Sequence, residues 1–400
     1  METDLIEYRK KMQKELSEIL DYWQRRTPDL SMGGFYGTIN YADKIIADAP
    51  KGAVLNARIL WAFSAAFRLT NHHAYLETAT RAFDYLSRFF IDPEFGGVYW
   101  SVDHQGKPLE TKKQVYAIVF AVYGLSEYYR ASGNESAKQI AISLFQKIEE
   151  HSFDSEYGGY FEAYARDWTS INDLRLSPKD VNEKKSMNTH LHILEAYSNL
   201  YKIWPDDVLR KKIIGLIDIF NKYIIDHSTV HLHLFFNETW KVSPAPISFG
   251  HDIEAAWLLQ EAAETISDIS LIEFTRNLAL KFADSVSIGL DTDGGLWYEY
   301  EPATHHLIRE KHWWPQAESM VGYFNAWQIS GNKIYYDRSV ASWNFVQHHL
   351  KDSVNGEWHW GLDANQQLML EDKAGLWKCP YHNSRACMEL IKRINTIYPV

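Results

Sequence analysis

A degenerate repeat constrains this chain more than any other feature. An apolar stretch runs into aspartate, a short spacer, a glycine pair and an aromatic pair. It appears as GGFYG at Gly33, DPEFGGVYW at Asp92, DSEYGGYFEAY at Asp154, DTDGGLWYEY at Asp291 and, weakened, DSVNGEWHW at Asp352. The second glycines, at 34, 97, 159 and 295, are 63, 62 and 136 residues apart, and Gly356 follows 61 later. The long gap is twice the period, so a unit that has lost its signature is expected near DHSTVHLHLFF, residues 226 to 236. Self-similarity at a fixed period marks a fold assembled from one supersecondary unit. The glycines supply the positive φ of a tight turn, and the aromatic pair reads as a short strand.

Each of the six units has room for two helices and their connections. Helical periodicity predicts helices over approximately 4–25, 53–70, 73–90, 113–131, 135–151, 186–203, 206–226, 250–266, 270–286, 312–330, 333–350 and 380–395. Twelve helices in six hairpins predict an all-α (α/α)6 barrel, an inner ring inside an outer ring with short β-hairpins in the loops, spanning 1–400 as one catalytic domain. An open solenoid is the competing arrangement. Closure is favoured because the even-numbered helices, such as NARILWAFSAAF and QVYAIVFAVYGL, are apolar nearly all round, and a helix without a wet face is buried. The 27 residues from Tyr160 to Ser186 carry Trp168 and Asp180 and are too long for a simple connector, so a lid is expected there.

Charge narrows the partners. A net charge of −11 without a basic block argues against nucleic acid and an electrostatic membrane anchor. The opening METDLIEYRKKMQKEL has no apolar signal core, and no run reaches the ~18 apolar residues of a membrane span. Cytoplasmic residence is expected, with oligomeric state left open and a monomer allowed. Cys379 and Cys387 are the only cysteines, which disfavours a disulfide scaffold or thiolate metal site. Fifteen Trp and twenty-four Tyr suit the apolar faces of sugar rings as well as a core.

The inner helices open with groups unsuited to a core: Arg58, Tyr116, Asn188 with His192, His251 with Glu254, Trp314, and His382. In a barrel these starts converge on one end of the cavity. Three- and four-residue spacing aligns Asn188, His192 and Glu195 on one face and turns His190 away. The same spacing places Glu254 one turn after His251, where it is expected to orient that imidazole, with Asp252 facing elsewhere. Arg58 is expected to pair with Glu254 or Glu318 and to face a developing oxyanion. Trp313, Trp314 and Trp377 read as packing or as a sugar platform. A single histidine is more often a satisfied core residue, but histidines at matching positions on several helices reverse that preference. Three imidazoles suit zinc, yet no HExxH-like spacing occurs, and neither GxGxxG nor GxxxxGK[ST] is present, so no metal or nucleotide cofactor is expected.

At these residues the chain resembles the N-acylglucosamine 2-epimerase superfamily, and within it most closely the cellobiose 2-epimerases. The segments that carry the likeness are MNTHLHILEAY from Met187, SFGHDIEAAWLL from Ser248, HWWPQAESMVGYFNAW from His312 and GLWKCPYHNSRACMEL from Gly375. The resemblance implies an (α/α)6 barrel without a redox cofactor. It also implies interconversion of glucose and mannose at the reducing end of β-1,4-linked disaccharides such as cellobiose and lactose, by proton removal and return at C2 through a cis-enediolate. It assigns His251 and His382 as acid/base groups, Glu254 as partner of the first, Arg58 and His192 around the enediolate, and Tyr116, Asp180, Asn188, Trp314 and Trp377 to substrate contact. The alternatives are a monosaccharide epimerase or aldose–ketose isomerase acting on mannose or N-acylglucosamine, and a non-catalytic sugar-binding protein. An inverting glycoside hydrolase is disfavoured, because it needs paired carboxyls where histidines dominate.

Overall fold

The computed structural model describes residues 2–399. Among them are twelve α-helices: α1 (Glu2–Arg26), α2 (Ala53–Thr70), α3 (His73–Tyr85), α4 (Val115–Ser132), α5 (Glu135–His151), α6 (Met187–Tyr201), α7 (Asp207–Ile219), α8 (Phe249–Thr265), α9 (Ile269–Ser285), α10 (Trp313–Ser330), α11 (Lys333–Phe345) and α12 (Tyr381–Ile397). The even-numbered helices pack in the order α2, α4, α6, α8, α10, α12, and α12 returns to α2, which closes the ring. Each odd-numbered helix lies outside, and α1 closes the outer layer against α12. This is an (α/α)6 barrel. All-round apolarity accounts for the inner ring: every residue of α2 from Ala53 to Ala66 and of α4 from Val115 to Tyr128 is buried. Outer helices bury one stripe, as α5 does with Ala137, Ala141, Leu144, Phe145 and Ile148.

Very short strands tie the units at one end of the barrel. The residues before each inner helix pair antiparallel with the loop of the next unit: Lys51–Gly52 with Ser101–Val102, Lys113–Gln114 with Ala163–Tyr164, Lys185–Ser186 with Phe235–Phe236, Ile247–Ser248 with Glu299–Glu301, and Lys311–His312 with Gly361–Leu362. A bridge from Ile39 to Ala374 completes the circle. In four of the units these strands lie just beyond the aromatic pair rather than on it.

The repeated aspartate has a purpose that the glycine spacing did not reveal. In five units it accepts from a buried lysine ahead of the next inner helix: Lys51 on Asp29 at 2.8 Å, Lys113 on Asp92 at 2.8 Å, Lys185 on Asp154 at 2.6 Å, Lys311 on Asp291 at 2.7 Å and Lys373 on Asp352 at 2.6 Å. The unit without a signature lies where the spacing put it. Its turn is closed by Val230 N–H donating to Asp226 O, with Val230 at φ 57°, costly for a β-branched residue. Ile247 stands at its lysine position, and a His231–Asp252 pair at 2.7 Å ties the turn to α8 instead. In the last unit Gly356 occupies the place of the first glycine, not the second, and Glu357 takes the second at φ 65°.

Candidate active site

The starts of the inner helices present two tiers of side chains to one mouth of the barrel. The first turns carry Tyr116 on α4, Asn188 on α6, His251 on α8, Trp314 on α10 and His382 on α12; about a turn deeper lie Arg58, His192, Glu195, Glu254, Glu318 and Arg385. Helix N-termini carry partial positive charge, so this mouth is predisposed to stabilise an anion.

The deeper tier is a connected network. His192 Nδ1 lies 2.9 Å from Glu195 Oε2, as the spacing on α6 predicts. Glu195 Oε1 also accepts from the Tyr381 hydroxyl and from Arg385. Arg385 Nη2 donates to Glu254 at 2.6 Å and to Glu318 at 2.7 Å, and its guanidinium stacks between Trp257 and Tyr381. Glu318 Oε1 is 2.7 Å from His382 Nδ1, and its other oxygen accepts from Trp257 Nε1 at 3.0 Å.

Two pairings expected from the sequence are corrected here. Glu254 does not hold His251: the partner of His251 Nδ1 is Ser248 Oγ at 2.8 Å, while Glu254 turns to Arg385 and lies 3.9 Å from His382 Nδ1. Arg58 pairs with neither Glu254 nor Glu318, because Arg385 occupies both. Arg58 instead donates to Tyr116 Oη at 2.8 Å, approaches Cys379 Sγ at 3.9 Å and stacks over Phe120 and Tyr381. Its Nε is buried without a partner, as is Asn188 Oδ1, so polar capacity remains for a ligand.

Trp314 brings the two acid/base candidates together, with its ring centroid 4.7 Å from that of His251 and 5.7 Å from that of His382. Gly250 permits this approach: a Cβ there would sit 2.6 Å from the indole. Trp377 packs 6.0 Å from Tyr116, and Tyr116 lies edge-on to His192 at 5.1 Å. Trp313 is packing, buried against Trp360. Trp168 in the long loop stacks on His151 and donates to Phe95 O, so it fastens the loop rather than facing the mouth. Asp180 accepts from Ser177 N–H and interacts electrostatically with Tyr298 and Glu299, and Tyr298 lies 6.4 Å from Trp314, ring to ring. His190 is structural: it accepts from Tyr160 N–H and bonds Ser186 O, and Asp252 faces His231.

Burial sets the protonation states. Desolvation pushes His251 down to about 3, helped by repulsion from His192. Desolvation likewise lowers His382, reinforced by Arg58 and Arg385, and lowers His192. All three rings are therefore neutral near neutral pH, as proton acceptors must be. Glu195 is held down to about 2 against its desolvation, chiefly by Arg385. Desolvation and their mutual repulsion raise Glu254, and desolvation raises Glu318. Tyr116 is pushed up to about 12 by burial and stays a phenol.

Donor atoms of Glu254, Glu318 and His382 lie within 4.8 Å of one another, a set that resembles a metal site. The guanidinium of Arg385 bonds both carboxylates and fills the place of a cation, so these residues do not fit a metal. A cavity of about 700 Å³ opens at the opposite mouth, lined by Arg68, Arg130, Lys202, Glu261, Lys392 and Arg393 among others. It holds none of the predicted site residues, and its cations match the helix C-termini there.

Arg385, Tyr381 and Trp257 are not among the residues expected from the sequence, and Glu318 is expected only as a partner for Arg58. A signal was present: Arg385 follows Tyr381 by four and His382 by three, Glu318 follows Trp314 by four, and Trp257 follows Glu254 by three.

A barrel of this kind with histidines and carboxylates at its helix starts has counterparts among known proteins, and residues 34–386 match the model of the family described as N-acylglucosamine 2-epimerase (GlcNAc 2-epimerase). The chain belongs to that family of carbohydrate-converting isomerases. It is 50% identical over 385 residues, covering 96% of this chain and 98% of the other, to the cellobiose 2-epimerase of Bacteroides fragilis, and 36% identical to that of Dictyoglomus turgidum over 94% and 96%. The solved cellobiose 2-epimerase of Bacillus thermoamylovorans B4167 superimposes with a TM-score of 0.91 at 37% identity, over 98% of this chain and 100% of that one. Likeness to a GH76 α-mannanase of Bacteroides thetaiotaomicron, TM-score 0.66 at 13% identity, shows the barrel fold alone. No helix among the described residues is long and apolar enough to cross a membrane.

Proposed function

We propose that this protein is a 2-epimerase of β-1,4-linked disaccharides, interconverting glucose and mannose at the reducing end of cellobiose or lactose, with residues 1–400 as one catalytic unit. The observation that carries the reading is the 50% identity to a cellobiose 2-epimerase along nearly the whole of both chains, joined to a site whose imidazoles flank one indole. A neutral imidazole of the His251/His382 pair removes the C2 proton of the open-chain sugar. The electron pair moves into the C1–C2 bond and charge develops on O1, facing Arg58 and His192. Arg58 is a preorganised donor of this kind and acts mainly on the transition state, whereas His192, whose Nδ1–H is taken by Glu195, faces the intermediate with a neutral ring. Rotation about C2–C3 then presents the other face of C2 to the second imidazole, which supports proton return with inversion. Trp314 and Trp377 offer flat faces to the two sugar rings, while Tyr116, Asn188 and, from the rim, Asp180 contact hydroxyls.

The test is to incubate the protein with cellobiose, lactose, mannose and N-acetylglucosamine and to resolve the products by NMR. Glucosyl-mannose from cellobiose and epilactose from lactose are the expected products. Turnover of the monosaccharides alone, or a ketose as the main product, refutes the proposal.

A further inference from the structure

The site contains two fixed cations, Arg58 and Arg385, and three carboxyl groups, Glu195, Glu254 and Glu318. The other groups of this tier are neutral: the imidazoles of His192, His251 and His382, the phenols of Tyr116, Tyr123 and Tyr381, and the Cys379 thiol; the layer beneath Glu195 and Arg385 balances within itself, with Glu127, Glu261 and Glu389 against Arg130, Lys202 and Lys392. Lys378 is matched by Glu357 at 2.7 Å. With all three carboxyls ionised the interior would bury one uncompensated negative charge, which is strongly unfavourable. One additional proton makes it neutral. Glu195 is an unsuitable holder because Arg385, Tyr381 and His192 all converge on it. Glu254 and Glu318 face each other across a single Arg385 nitrogen, within 4.8 Å of each other and of His382 Nδ1.

We propose that Glu254 and Glu318 share one stored proton in the resting protein and pass it through His382 to C2 during turnover. This rests, for its second half, on the epimerase reading above. Glu318 Oε1, 2.7 Å from His382 Nδ1, provides the contact. When the enediolate takes the Nε2 proton of His382, the N–H bond breaks, a C2–H bond forms, and Nδ1 accepts the stored proton. The negative charge passes from the enediolate to the carboxyl pair, and His382 exchanges one neutral tautomer for the other. A histidine that burial keeps from becoming imidazolium thereby serves as an acid. His251, bonded to Ser248, holds the proton it removed only while a negative charge stands in the site, first on the enediolate and then on the carboxyl pair, and water that enters as the product leaves returns that proton to the pair.

Difference infrared spectroscopy on the resting protein tests the storage without any sugar. At neutral pH, wild type minus Glu254→Gln and wild type minus Glu318→Gln should each show one lost carbonyl band of a neutral carboxylic acid, shifting in heavy water. Loss of ionised carboxylate bands alone in both differences overturns it. Should either variant fail to fold, the other still decides, and Glu254→Asp, which keeps the carboxyl, should retain the band. The relay is read in heavy water with Glu318→Gln. From one of the two epimers, deuterium should enter C2 without inversion, with inversion reduced at least ~10²-fold and exchange far less. Equal loss of exchange and inversion overturns the relay. Absence of C2 exchange in the wild type would instead remove the epimerase reading and leave the infrared result standing.

Discussion

Replacing Arg385 by methionine tests the electrostatic account of the site most directly. The side chain is 1% exposed and holds Glu195, Glu254 and Glu318 at once. Its removal leaves one uncompensated negative charge and three carboxyls short of a donor. Neutralising that charge at pH 7 costs about 3.7 kcal/mol if a glutamate with an ordinary value near 4.3 must take the proton, and about 0.7 kcal/mol if His382 takes it, from an ordinary value near 6.5. Lost charge-assisted hydrogen bonds add about 1.5 kcal/mol or more each where water does not replace them. The expected destabilisation at neutral pH is therefore about 3–5 kcal/mol, as found when one partner of a buried pair is removed. Its pH dependence has a definite sign. In the variant the group that takes the proton has a folded pKa raised above its unfolded value, so the stability it contributes is full at low pH and is lost as pH rises through the raised value. The gap to wild type should narrow on acidification by about 1.4 kcal/mol per unit. Denaturant unfolding of both proteins from about pH 5.5 to 8.5 measures this; a gap that does not change with pH, or a loss below about 1 kcal/mol, refutes the reasoning.

His251→Ala and His382→Ala should each lower epimerisation at least ~10²-fold while the protein stays folded; near-normal turnover in both would reject their assignment. Arg58→Met should lower kcat by ~10²–10³-fold, as loss of an oxyanion donor does, and Tyr116→Phe, which releases the guanidinium and removes one substrate contact but keeps the cation, should cost less in kcat. Gly250→Ala drives a methyl into Trp314 and should cost about 1–3 kcal/mol by overpacking, with a rise in KM. His251, pushed down to about 3 by burial, refuses a proton that the unfolded chain accepts near 6.5. The stability it contributes is full above that value and is lost as pH falls toward 3. A His251→Phe variant should therefore unfold less steeply with acid, as read by Tm against pH.

The barrel was legible because two independent periods agree. The spacing of the glycine turns gave six units, and unbroken apolarity along alternate helices, Ala53 to Ala66 for example, said which ring each helix joins. Even the unit without a signature was locatable, since Asp226 keeps the period while Val230 accepts the strained backbone that glycine holds elsewhere. The lysines that lock five of the turns were not legible. A lysine two residues ahead of a helix reads as solvated surface, and only the closed ring brings Lys113 over Asp92 or Lys185 over Asp154.

The candidate site divides in the same way. Spacing along one helix found His192 with Glu195, because both ends of that contact share a face. It failed for His251 with Glu254, since at that depth the barrel offers Glu254 a better partner from across the ring: Arg385, 131 positions away in sequence. An i, i+3 rule describes an isolated helix, where water is the competitor. Inside a closed ring each inner helix presents its second turn to five others, and a buried carboxylate goes to the nearest permanent cation, whichever helix carries it. Arg385 is that cation for three helices at once. In such barrels the charges that alternate helices carry into the ring therefore pair across it before they pair along one helix. Here two cations against three carboxyls leave one proton to be placed.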